Sequence, residues 1–178
     1  MAAGRAPRAR DTLLRLRPFR LGDEAAALAA EAALHAEGFQ FPLEHRPGER
    51  WTDYLRRREA NRRGAEVPPG FVPSTLLAAC VDDQLVGRVS IRHELNDWLT
   101  QYGGHVGYAV VPDMRRRGYA TEILRQGLVI ARSLGIADVL VTCDVTNVVS
   151  ARVIERCGGE YESTAMGSGA PKRRYWFR

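Results

Sequence analysis

The chain has 178 residues, 45% of them hydrophobic, which is enough for one core of ordinary size in a single domain. Its formal charge of +5 suggests a polyanion partner until the excess is located: Arg5, Arg8, Arg10, Arg15, Arg17 and Arg20 face only Asp11, and from residue 21 onward the formal charge cancels, which argues against a nucleic-acid surface on the folded part. No apolar run approaches the roughly eighteen residues of a membrane span, and Cys80, Cys143 and Cys157 are odd in number and outside any CxxC pair, which argues against a disulfide framework or a zinc site.

Residues 1–11 combine small residues, Pro and Arg without an apolar segment, and are expected to be a disordered basic arm rather than a signal peptide, with residues 12–178 as one domain and a cytoplasmic location. "TLLRLRPF" alternates apolar and polar residues and stops at Pro18, predicting an edge or half-buried strand. "GDEAAALAAEAALHAEG" carries an Asp at a capping position, acids in its first turn and Gly38 as a stop, predicting a helix. A second helix is expected in "ERWTDYLRRREANRRG", with Trp51, Tyr54, Leu55 and Arg58 on one side.

From Ser74 the period changes to that of strands, with "STLLAACVDDQLVGRVSIRHEL" reading as a hairpin turned at "VDDQ" and "GGHVGYAVVP" as a further strand ended by Pro112. Ala120, Ile123, Leu124, Gly127, Leu128, Ala131 and Leu134 then recur at three- and four-residue steps up to Gly135, the clearest helix in the chain. "ADVLVTCDV" is a β-branched run suited to a buried strand, "NVVSARVIERCGG" a short helix, and "GEYESTAM" and "KRRYWFR" closing strands. No internal repeat and no linker follows residue 12.

Between the strand ending at Pro112 and the long helix lies "MRRRGYATEI". A helix start exposes unpaired N–H groups and the positive end of the dipole, and a glycine there lets an anion approach the backbone. Arg115, Arg116 and Arg117 add charge at the same place, so the stretch suits a phosphate or pyrophosphate; the alternative is a solvated charge run opening a surface helix. Neither GxxxxGK[ST] nor GxGxxG is present.

These residues resemble the Gcn5-related N-acetyltransferases (GNATs). The likeness rests on the Arg/Gln-x-x-Gly-x-Gly/Ala signature, here Arg115, Gly118 and Ala120, and on Asn147 opening a short helix that ends at Gly158, and it extends over residues 12–178. It implies an α/β (α+β) fold with a mixed, largely antiparallel sheet of six to seven strands and about four helices. It implies acetyl-CoA as cosubstrate, without a metal, its pyrophosphate on the N–H groups of Arg116, Arg117, Gly118, Tyr119, Ala120 and Thr121. Its pantetheine arm would pair with Val110 and Val111, and Asn147 and Ser150 would face it from the far side.

Acetyl transfer makes three chemical demands. An amine of pKa about 10.4 must lose a proton, the oxyanion needs a donor, and the thiolate leaving group gains from an acid. The resemblance puts the oxyanion donor at the Val110 N–H and a tyrosine acid seven residues after the Asn, where this chain has Ile154. Tyr108, Tyr119 and Tyr161 are the substitutes to weigh. His105, at the head of its strand, is the expected base, with Glu94 second and His93 on the opposite face. Cys143 reads as a small core residue, and His35 and His45 as bystanders. Phe39, Phe41 and Trp51 read as an amine pocket or as core. The expected function is N-acetyltransfer to a primary amine of a small molecule in a ternary complex, with a protein N-terminus or lysine as the alternative acceptor and a non-catalytic acyl-CoA-binding module as the alternative class. A homodimer is left open.

Overall fold

The computed structural model describes residues 13–35, 37–167 and 169–178; the basic arm lies outside them. Seven strands form one sheet in the order β1-β2-β3-β4-β5-β7-β6: β1 (Arg15–Pro18), β2 (Ser74–Val81), β3 (Gln84–Arg92), β4 (Val106–Val110), β5 (Val139–Asp144), β6 (Glu160–Ala165) and β7 (Lys172–Phe177). Every neighbouring pair is antiparallel except β4 and β5, which run parallel. The β2–β3 turn is Asp82–Asp83, both with positive φ (47° and 63°), the twist a two-residue hairpin requires and that Asp tolerates.

The sheet is covered on both faces. α3 (Tyr119–Ser133) and α4 (Val148–Arg156) lie over Val89, Ile91, Val106, Val110, Val141 and Cys143, while α1 (Glu24–His35) and α2 (Trp51–Arg62) enclose a second cluster with Ala78, Cys80 and Ala109. Gly127 lets α3 sit close on the sheet, since a Cβ there would lie 3.2 Å from Val89 Cγ2. The start of α1 is held by Asp23: its carboxylate accepts the Arg20 N–H at 2.7 Å and both Arg17 Nη groups at 2.6 and 2.8 Å. Pro18 falls on the edge strand, where a missing N–H costs nothing.

Two stretches depart from the expected elements. β3 ends at Arg92, so His93 and Glu94 lie beyond it, and Leu99–Gly103 forms a π-type turn that the hydrophobic period did not signal. Arg92 explains that turn, donating through Nη1 to Gly103 O (2.9 Å) and Gly104 O (3.2 Å). None of the described helices is long and apolar enough to cross a membrane.

Candidate active site

β4 and β5 are bonded at one end and apart at the other. At the closed end Val106 registers with Val141, the His105 N–H donates to Leu140 O at 2.7 Å, and the Leu140 N–H donates to His105 Nδ1 at 2.9 Å. The Arg92 N–H donates to His105 O (2.8 Å) and the Val111 N–H to Val86 O (2.9 Å), so the odd-numbered residues of this strand pair with β3. By the alternation of an antiparallel ladder, Tyr108 and Val110 therefore turn their polar groups toward β5, which has already diverged. A free strand edge results. Arg115 Nε reaches the Val110 carbonyl from the side at 3.4 Å, leaving the Val110 N–H to the cleft.

This corrects the pairing expected at Val111. Its N–H is bonded to β3, so Tyr108 and Val110, two residues apart, are the edge that an extended amide ligand would meet.

After a 3₁₀ turn at Pro112–Met114 the chain enters α3 through two left-handed residues, Arg116 (φ 64°) and Gly118 (φ 82°). Among the described residues the N–H groups of Arg116, Arg117, Gly118, Tyr119 and Ala120 have no hydrogen-bond acceptor, whereas that of Thr121 bonds to Gly118 O at 3.1 Å. The result is an N–H concavity at a helix N-terminus, the arrangement that binds phosphate oxygens. Thr121 contributes to the lining but not a free N–H.

The three arginines separate. Arg115 lines the cleft, but its fork grips Glu37 at 2.9 and 2.7 Å, tying the end of α1 to this turn and holding the Glu37 carboxyl below its ordinary range. Arg116 lines the cleft. Arg117 turns away, its Nη2 on Asp113 O at 3.3 Å. Arg156, on the third turn of α4, supplies a cation to the same cavity that no local motif announced.

One cavity of about 800 Å³ joins these parts. It is lined by Arg116, Gly118 and Tyr119, by Tyr108 and Val110, by Leu34 of α1 and Phe39 of the loop after it, and by Asn147, Ser150 and Arg156. Asn147 caps α4, its Oδ1 accepting the Ser150 N–H at 3.0 Å, which leaves its amide NH₂ for the cavity. The Ser150 hydroxyl lies 2.9 Å from the Tyr108 phenol, whose pKa burial pushes up to about 12, against the lowering effect of that hydrogen bond.

The expected bases lie elsewhere. His105 is 7% exposed and is not among the residues lining the cavity. Its Nδ1 accepts from Leu140, which fixes the neutral Nε2–H tautomer, and burial, then the nearby Arg92, lowers its pKa. A ring held as an acceptor at one nitrogen and already protonated at the other cannot take up a proton without releasing β5. Glu94 is exposed in the bend after β3 and does not reach the cavity, and His93 is bonded to Thr75 Oγ1 at 2.8 Å.

Ile154, in the usual tyrosine position, is fully buried in the core. Tyr161 sits on β6, its hydroxyl 2.9 Å from Thr164 Oγ1. Phe41 and Trp51 are core, packed on Phe19, while Phe39 lines the cavity. Among the described residues no group of three or more His, Cys, Asp or Glu is placed to hold a metal ion.

Residues 14–160 match the family model described as an acetyltransferase (GNAT) domain. Solved structures share the fold. RimJ of Mycobacterium smegmatis, in complex with CoA-disulfide, has 20% identity and a TM-score of 0.68 over 92% of this chain and 81% of that one. An acetyltransferase of Agrobacterium tumefaciens has 20% identity and a TM-score of 0.65 over 100% and 98%. A spermidine N-acetyltransferase SpeG chimera from Vibrio cholerae and hSSAT has 14% identity and a TM-score of 0.63 over 92% and 94%. No curated protein matches the chain in sequence.

Proposed function

The chain belongs to the GNAT acetyltransferase family, and from that membership we propose that it moves an acetyl group from acetyl-CoA to a primary amine of a small acceptor, by direct attack within a ternary complex. The observation that carries this reading is the continuity of the free β4 edge with the N–H concavity at α3 inside one cavity. Amides of the pantetheine arm would bond the Tyr108 and Val110 edge as an added strand does, and the diphosphate would lie on the N–H groups of Arg116 to Ala120, with the Asn147 amide and the Arg156 guanidinium facing the arm from α4.

The chemistry follows from what each group can supply. The amine nitrogen bonds to the thioester carbon, and the carbonyl oxygen, as it takes negative charge, accepts the Val110 N–H. Collapse of the tetrahedral species breaks the C–S bond. A thiol of ordinary pKa about 8.5 gives up its proton far more readily than a phenol at about 12. The Tyr108–Ser150 pair therefore holds the departing thiolate by an O–H···S hydrogen bond, and water supplies the proton that completes CoA–SH. Glu37 is the one carboxylate among the described cavity residues, and its ion pair with Arg115 makes it a poor base; the amine proton leaves to solvent through the open cleft. The apolar lining that Leu34 and Phe39 give the cavity near α1 supports a small acceptor.

Calorimetry with acetyl-CoA and thiol release across an amine panel test the reading. Binding together with amine-dependent release is the expected result. Binding without release from any amine leaves an acyl-CoA-binding module, and no binding overturns the site.

A further inference from the structure

The face of the sheet beneath the 37–45 stretch carries a cation that the acyl-transfer chemistry does not use. Arg88 is 3% exposed in the middle of β3 and registers with Ala109, a residue of the cavity wall. Its Nη2 donates to Gln40 O at 3.0 Å, its Cζ lies 5.0 Å from the centre of the Phe39 ring, and its Nε is buried with no partner among the described residues.

Among the described residues no carboxylate forms an ion pair with it, although Glu31 is near enough to favour its charge. Glu31 accepts the Phe41 N–H, and Glu44 is engaged by Arg58 at 2.8 Å. Burial, and after it the neighbouring Arg92, pull the Arg88 pKa down to about 10 against the raising effect of Tyr54 and Glu31. Two residues along the same face, the Ser90 hydroxyl is 1% exposed and also without a partner among the described residues, opposite Gly107 in the register.

A buried guanidinium without an ion-pair partner carries a desolvation penalty that one carbonyl and an aromatic face offset only in part, and an orphaned hydroxyl beside it adds to that penalty. Neither group lines the cavity, but Arg88 lies directly behind two residues that do, Phe39 and its register partner Ala109. Phe39, 38% exposed and outside any helix or strand, lines the cavity on one side and lies against the Arg88 fork on the other.

We propose that Arg88 is the anchor for a carboxylate on the acceptor, so that the substrate class is a small amine bearing a carboxylate, held by the Arg88 fork with the Ser90 hydroxyl alongside. This rests on the acyl-transfer reading above. The Phe39 ring moves off the guanidinium, and the carboxylate replaces Gln40 O as its partner.

The test is thiol release from acetyl-CoA with ω-amino carboxylates of increasing chain length, each paired with its carboxamide. At one chain length the carboxylate is expected to exceed its carboxamide in kcat/KM by about 10- to 100-fold, the range for a charge-assisted hydrogen bond. Arg88→Met removes that preference and, without acceptor, melts at or above the temperature of the wild type, since an unpaired buried charge has been replaced by an apolar chain of similar length. Arg88→Lys, which keeps charge without the fork, retains part of the preference.

Equal turnover of carboxylate and carboxamide at every length overturns the anchor, as does a preference that survives in both variants, or a peptide with an acidic second residue outpacing every small carboxylate. Failure of Arg88→Met to fold would itself count against the assignment, because it would make the cation structural. Absence of release from any amine would instead sink the acyl-transfer reading on which the anchor depends.

Discussion

The two ends of β4 are five residues of one strand, yet they do opposite things. At Val106 the strand is joined to β5 by backbone pairing and by the imidazole of His105; at Tyr108 and Val110 the same edge is unpaired and faces the cavity. Closure at one end is what makes the opening at the other usable, because a strand edge offered to a ligand must be held from collapsing onto its neighbour. The open end and the turn that follows should carry the coenzyme and the chemistry, and the closed end should carry stability.

The sharpest break of that division is at Gly118. Any side chain there must adopt φ near +82°, although the space itself is open, with nothing within 4 Å of a Cβ. Gly118→Asp adds strain of roughly 1–3 kcal/mol and sets a carboxylate among N–H groups meant for phosphate. Acetyl-CoA affinity measured by calorimetry should fall by about 100-fold or more; an unchanged affinity would remove the concavity from the site.

Next in size is the hydroxyl pair. Tyr108→Phe and Ser150→Ala each take away one member of the 2.9 Å contact. Each is expected to lower kcat by about 10- to 30-fold, one hydrogen bond to a charged group, while the KM for acetyl-CoA stays within about threefold. The double variant should lose little more than either single one, because the two hydroxyls act as one unit. Additive losses would mean that they work separately.

The closed end is probed through His105. His105→Ala strands the buried Leu140 N–H and should cost about 1–3 kcal/mol in denaturant unfolding, whereas His105→Asn, whose Oδ1 can replace Nδ1 as acceptor, should cost less and leave the pH–rate profile of the wild type intact. Burial lowers the pKa of this histidine in the folded state, so the unfolded chain binds the proton more readily. Its contribution is therefore present above the unfolded value near 6.5 and is lost as pH falls toward the folded value, with a slope of at most about 1.4 kcal/mol per pH unit. His105→Asn should be less acid-sensitive than the wild type between pH 7 and 5.5. A rate limb that disappears in His105→Asn would restore the histidine as base.

These outcomes also show what the sequence could disclose. Strand and helix order followed from period and caps, since the apolar face of α3 and the Asp82–Asp83 turn are local signals. The N–H concavity at the start of α3 is legible for the same reason, as its glycine and its helix start lie within a few residues. Nothing near His105 in sequence distinguishes a strand staple from a base, because its partner, Leu140, is thirty-five residues away. Arg88 carries no local signal, since only the fold lays the 37–45 stretch over it, and Arg156 joins the site only through the packing of α4 beside the cavity.

The smallest effect expected separates residues that the sequence presents as equals. Arg116 and Arg117 are adjacent, identical and both exposed, but one lines the cavity and the other turns to Asp113 O. A solvated cation near a phosphate contributes modestly and is screened by salt. Arg116→Ala should weaken acetyl-CoA binding by about two- to fivefold at low ionic strength, with the difference shrinking toward unity in about 0.5 M salt, and Arg117→Ala should remain within the error of the wild type at both. Equal losses from the two variants would mean that the run acts as a diffuse positive field, and that the backbone N–H groups, rather than any one arginine, give the turn its specificity for the diphosphate.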